Sequence, residues 1–153
     1  MPIDVGSTAP GFTLKDQTGA EVSLGDYAGS KAVALVFYPF TFTGVCEGEL
    51  CQLRDDIGDY EAKDVQVIAV SCDTGPSQQV WAEQQGWTFP VLSDFWPHGA
   101  VAQAYGVFND AVGCANRATF LIGQDGVVVD TFATDSLGTA REKERYAEAL
   151  AKL

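Results

Sequence analysis

Ala32-Val33-Ala34-Leu35-Val36-Phe37-Tyr38-Pro39-Phe40-Thr41-Phe42-Thr43-Gly44-Val45-Cys46 is the stretch that decides the fold. Ala32–Tyr38 is continuously apolar and partly β-branched, the pattern of a strand buried on both faces. Pro39 lacks an N–H and breaks the strand. From Gly44 to Tyr60, Cys46, Leu50, Leu53, Ile57 and Tyr60 recur at helical spacing. One cysteine therefore stands where a buried strand hands over to a helix. The free N–H groups and positive dipole end of a helix start favour an anion. A thiolate is the nucleophilic form of cysteine, and such a setting lowers a thiol pKa. Cys46 is thus better placed for chemistry than any other residue. Its alternative is a buried thiol acting as a small hydrophobe on the stripe of Leu50 and Leu53.

Outward from this unit, Phe12–Lys15 and Glu21–Ser23 flank Asp16-Gln17-Thr18-Gly19 and predict a hairpin. Val65–Val70 predicts a second buried strand. Ala118–Ile122 and Val127–Phe132, split by Gly123-Gln124-Asp125-Gly126, predict an antiparallel hairpin. Helices are expected from Ser77 to Gln85 with Gly86 as the stop, over Ala100–Tyr105, and from about Thr139 to Lys152. A βαβ half followed by a ββα half is the thioredoxin arrangement. The expected fold is α/β and thioredoxin-like: a central mixed sheet flanked by helices, with an N-terminal β-hairpin extension, in a single domain over residues 1–153. In open α/β sheets the site lies beyond the carboxyl ends of the strands, where Tyr38-Pro39 meets the Cys46 helix.

Composition narrows the function classes. A net charge of −12 without a basic patch argues against nucleic acid and anionic membranes as partners. It suits a small uncharged substrate. No apolar run reaches the about 18 residues of a membrane span. Met1-Pro2-Ile3-Asp4-Val5-Gly6 lacks the basic start and apolar stretch of a secretory signal, so the cytoplasm is the expected compartment. Four cysteines there predict redox-active, metal-bound or buried thiols rather than structural disulfides. The absence of a Cys-x2-Cys pair argues against zinc. No dinucleotide fingerprint or phosphate loop is present, so no cofactor is expected.

Pro39-x3-Thr43-x2-Cys46 resembles the active-site motif of the peroxiredoxins. Gly6-x2-Ala9-Pro10-x-Phe12-x-Leu14, Phe89-Pro90-Val91-Leu92-Ser93-Asp94 and Asn116-Arg117-Ala118-Thr119-Phe120 resemble three further segments of that family. Ser93–Gly99 and Ala104–Asn109 look like its alkyl hydroperoxide reductase E type. The resemblance implies a thiol-dependent peroxidase acting on hydrogen peroxide and organic hydroperoxides. The Cys46 thiolate attacks a peroxide oxygen and becomes a sulfenic acid. It also implies that Thr43 holds the peroxide in line, with a helix N-cap as the plainer role. Pro39 becomes a lid over the thiolate, or simply a strand terminator. Arg117 stabilises the thiolate and the leaving oxygen, rather than facing solvent at a strand edge. Glu49, on the helix face of Cys46, orients Arg117 or merely complements the helix dipole. His98 is not expected to act as a base, and Trp81 and Trp96 are expected to pack.

Cys51 lies five residues after Cys46, a spacing that resembles the resolving cysteine of Q-type (bacterioferritin comigratory protein) peroxiredoxins. The alkyl hydroperoxide reductase E type is described as using one cysteine, so the two resemblances differ here. Helical positions five apart are separated by about 8.6 Å between Cα atoms. A disulfide rarely spans more than about 7 Å. A Cys46–Cys51 bond therefore requires the helix start to unwind, which Gly44 and Gly48 would ease. The alternative is a buried thiol on the flank of the stripe. Cys114 is the second choice as resolver, and Cys72 is expected to pack. The electron donor is a thioredoxin-like partner if Cys51 resolves, and otherwise a low-molecular-weight thiol with a glutaredoxin-like partner. A homodimer is expected, with Phe40, Phe42, Trp96 and Phe108 as exposed interface candidates. The competing function is a thiol–disulfide oxidoreductase of the thioredoxin type. That would need Cys-x-x-Cys where this chain has Thr43-x-x-Cys46.

Overall fold

The computed structural model describes residues 1–153. Its strands are β1 Thr13–Lys15, β2 Glu21–Ser23, β3 Ala32–Phe37, β4 Val65–Ser71, β5 Val91–Ser93, β6 Phe108–Asn109, β7 Cys114–Ala115, β8 Ala118–Ile122 and β9 Val128–Ala133. The helices are α1 Gly44–Asp55, α2 Ile57–Glu61, α3 Gly75–Gln85, α4 Ala100–Ala104 and α5 Lys143–Leu150. Seven strands form one mixed sheet in the order β2-β1-β5-β4-β3-β8-β9. The parallel β3–β4 pair, joined through α1 and α2, sits at its centre. β8 returns antiparallel to β3, with Phe37 opposite Ala118.

Period-2 alternation on β3 feeds two cores. Ala34, Val36 and the following Tyr38 face a cluster with Cys46, Leu50, Leu53, Trp81 and Leu150. Val33, Leu35 and Phe37 face one with Ile68, Tyr105 and Phe120. Burial on both faces explains why this strand carries no polar residue. The N-terminal hairpin extends the sheet through Lys15 opposite Ser93 on β5.

Several boundaries differ from the sequence expectation. The helix expected through Tyr60 breaks at Asp56, whose N–H bonds Gln52 O and whose carboxylate takes the Gln52 amide at 2.8 Å. α3 starts at Gly75 because Pro76 suits a first helical turn. It stops at Gly86 in the left-handed region, φ 69°. The helix expected from Thr139 begins only at Lys143, because the preceding segment turns inward and buries Arg141. β5, β6 and β7 are too short to leave a periodic signal.

Candidate active site

The loop between β3 and α1 is built by hydrogen bonds that its sequence supplies. Pro39 is buried where the chain leaves the sheet. The Thr41 N–H and hydroxyl both donate to Asp73 Oδ2, at 2.8 and 2.7 Å. Ser71 donates to the same oxygen at 2.7 Å. With its hydrogen committed to Asp73, the Thr41 hydroxyl accepts from Tyr38 Oη at 3.1 Å. Thr43 Oγ1 donates to Phe40 O at 2.7 Å. Thr43 occupies the N-cap position of α1, but its hydroxyl closes the loop rather than capping the helix. Phe42 between them has φ 62°, a left-handed conformation that costs about 1–3 kcal/mol in a non-glycine residue. The bonds on either side and the Trp81 ring at 5.9 Å hold it there.

Cys46 is fully buried in the first turn of α1. The amides of Gly44, Val45 and Cys46 have no intrahelical acceptor at this position. One turn on, Glu49 faces the same way and takes four hydrogen bonds on its two oxygens. Arg117 Nη1 reaches Oε1 at 2.6 Å. Arg141 reaches Oε1 through Nη2 at 2.9 Å, and Oε2 through Nε at 2.9 Å and its backbone N–H at 2.8 Å. Arg141 Nη1 then bonds Phe37 O at 2.7 Å and Thr119 Oγ1 at 3.2 Å. Burial pushes the Glu49 carboxyl up, but the hydrogen bonds and charge of Arg141, with the charge of Arg117, outweigh it and hold its pKa below the usual value. Two buried guanidinium groups against one carboxylate leave a surplus of positive charge that suits an anion at the helix start. Arg117 Nε is held by Leu137 O at 2.6 Å, while its Nη2 has no partner within the protein.

A family model described as AhpC/TSA family matches residues 5–131. The chain belongs to that family, the peroxiredoxins. Alkyl hydroperoxide reductase E of Mycobacterium tuberculosis is 49% identical over 152 residues, covering 99% of this chain and 98% of the relative. The chloroplastic peroxiredoxin Q of Triticum aestivum is 36% identical over 127 residues, covering 82% of this chain and 57% of that protein. Among solved structures, the peroxidoxin BcpB of M. tuberculosis superposes with a TM-score of 0.85 at 30% identity, covering 97% of this chain and 94% of its own. Peroxiredoxins are thiol-dependent peroxidases, and this chain is an enzyme of that class.

The structure brings Pro39, Thr43, Cys46, Glu49 and Arg117 to one end of the central strands. It adds two residues that sequence reasoning missed. Arg141 stands among polar residues 92 positions from Glu49, with no local pattern to mark it. Asp73 follows β4 and shows its role only through Thr41. Cys51 lies half-buried further along α1, its thiol donating to Gln85 Oε1 at 3.4 Å. All four cysteines are free. Cys72 and Cys114 are buried close to each other. Burial, with nearby Asp94, pushes the Cys72 thiol up to about 12. Burial and the neighbouring Cys46 raise Cys114 against the opposing charge of Arg117.

The His98 ring nitrogens face Phe95 O at 3.1 Å and Gly113 O at 2.7 Å, tying its loop to the segment before β7. Trp81 packs in the core, while Trp96, read both as a packing residue and as an exposed interface candidate, is 81% exposed. Phe108, expected on the surface, is half-buried with its ring 5.9 Å from that of His98. Phe40 and Phe42 are exposed beside the loop. A larger concavity of about 610 Å³ between the N-terminal hairpin and Trp96 touches none of the residues around Cys46. No helix is long and apolar enough to cross a membrane.

Proposed function

We propose that Cys46 is the peroxidatic residue of a peroxidase that reduces hydrogen peroxide and organic hydroperoxides in the cytoplasm. The observation that carries this reading is a fully buried cysteine in a helix first turn, facing an arginine pair that Glu49 braces and that leaves Arg117 Nη2 free. The Cys46 thiolate attacks the distal peroxide oxygen, the O–O bond breaks, and the alkoxide or hydroxide leaves and takes a proton. Arg117 Nη2 and the first-turn amides stabilise the charge that develops on the oxygens. Thr43 positions the peroxide, Pro39 excludes water from the sulfur, and Glu49 fixes the Arg117 guanidinium. Arg141 is a positioning residue for Glu49.

Cys51 then resolves the sulfenic acid. Its sulfur attacks Cys46 Sγ, the S–O bond breaks, and water leaves with the thiol proton. Cys51 is favoured over Cys114 because Cys114 is fully buried with its thiol pushed up by that burial, whereas Cys51 is half-exposed on the same helix as Cys46. A thioredoxin-like dithiol reduces the disulfide. If Cys51 is passed over, a low-molecular-weight thiol with a glutaredoxin-like partner takes its place. Exposed Phe40, Phe42 and Trp96 suit the contact face of a homodimer. Single-turnover peroxide consumption tests the assignment. Wild type should consume one equivalent rapidly and Cys46→Ser none, while Cys51→Ser should keep the first step. Consumption by Cys46→Ser at the wild-type rate would overturn it.

A further inference from the structure

The other glutamate of α1 turns away from Arg117 and Arg141. Glu47, adjacent to Cys46 in the first turn, faces α3, where its Oε1 accepts from Trp81 Nε1 at 3.2 Å and Gln85 Nε2 at 2.9 Å. The same Gln85 side chain accepts the Cys51 thiol hydrogen on Oε1 at 3.4 Å. The orientation of this amide is fixed by its neighbours. A carboxylate only accepts, so the Gln85 NH₂ must face Glu47 and its carbonyl must face Cys51. Gln85 is pinned in place, because Arg54 Nη1 holds its backbone oxygen at 2.6 Å. One glutamine thus ties the residue next to Cys46 to the thiol of Cys51.

We propose that Glu47 and Gln85 form a latch that couples unwinding of the first turn of α1 to release of the Cys51 thiol, and so sets the rate at which the Cys46–Cys51 disulfide forms. The inference rests on Cys51 being the resolving residue. With both cysteines in a continuous helix, their Cα atoms are about 8.6 Å apart and beyond disulfide reach, so the first turn must open. Opening carries Glu47 away from α3 and breaks its bonds to Trp81 and Gln85. Gln85, freed from Glu47, can then swing its carbonyl off Cys51. A thiol that donates its hydrogen to a carbonyl is not in its nucleophilic form, so the closed latch also keeps Cys51 from attacking. While it is closed, a second peroxide can convert the Cys46 sulfenic acid to sulfinic acid. Glu47 and Gln85 therefore govern the partition between disulfide and overoxidation.

The test is a quench-flow time course after one equivalent of hydrogen peroxide, with alkylation and non-reducing peptide mapping by mass spectrometry. Gln85→Leu removes both ends of the relay, and Glu47→Ala is a second variant should the first fail to fold. Each should form the Cys46–Cys51 peptide about tenfold faster than wild type, the scale of one to two net hydrogen bonds. Each should also yield less Cys46 sulfinic acid as the peroxide dose rises. Glu47→Gln, which keeps a carbonyl acceptor for Trp81 and Gln85, should stay within about threefold of wild type. A linked peptide that appears earlier in the variants than in wild type supports the latch. Linkage at an unchanged rate in both variants overturns the latch and leaves Cys51 as resolver. Sulfinic acid accumulating in every protein, with no linked peptide in any, overturns both readings.

Discussion

Two glutamates of one helix, Glu47 and Glu49, face opposite neighbours and are held in opposite ways. Glu49 is buried among two guanidinium groups, with four charge-assisted bonds on its carboxylate. Glu47 is half-buried and takes two neutral donors from α3. Every one of these bonds ends on a carboxylate, but three of the four at Glu49 come from guanidinium N–H groups, which add the Coulomb attraction of a buried opposite charge that the amide and indole donors at Glu47 do not supply. The Glu49 flank of α1 is therefore the more tightly held one, and in the proposed cycle it carries the groups that meet peroxide. The Glu47 flank is the more loosely held one, and in the proposed cycle it opens and carries Cys51. On this reading a single helix serves a step that needs fixed geometry and a step that needs motion.

The comparison breaks most visibly at Glu49. Glu49→Ala leaves Arg117 and Arg141 buried without their shared anion and should cost about 3–5 kcal/mol of stability in urea unfolding. The same residue predicts an acid dependence. Because its folded pKa lies below the ordinary value of 4.5, its contribution is complete above that pH and is lost as pH falls through the lowered native value. That part of the acid dependence should vanish in Glu49→Gln. Next in size is Arg117→Ala, which removes the free donor and should lower the second-order rate of Cys46 with peroxide by about 10²–10³-fold in stopped flow. The smallest effect belongs to the opposite flank. Trp81→Phe deletes one donor to Glu47 and shrinks a fully buried side chain while keeping an aromatic ring in place, so it should cost about 1–2 kcal/mol. A loss at Trp81 as large as that at Glu49 would contradict the division into a rigid and a releasable flank.

The fold was legible where local pattern carries it. β3 is a continuous apolar run, Pro39 ends it, and Cys46 begins a helical stripe, so strand, loop and the helix start that holds Cys46 follow from adjacent residues. Glu49 was legible from its spacing to Cys46, and Arg117 only through a resemblance. Arg141 was not legible, because a loop brings it to Glu49 and an amphipathic pattern running on toward Thr139 disguised that loop as helix. Gln85 looked like the end of α3 and nothing more. Its meaning appears only when Glu47 and Cys51 flank it in space. Phe108 was misplaced on the surface because aromatic identity says nothing of which side of a loop meets solvent.

The most direct test of the account is non-reducing peptide mapping of the wild-type protein after one equivalent of hydrogen peroxide. The account predicts a peptide linked through Cys46 and Cys51, with Cys72 and Cys114 still reduced. Cys46 recovered as an unmodified thiol, with the peroxide unconsumed, would contradict it.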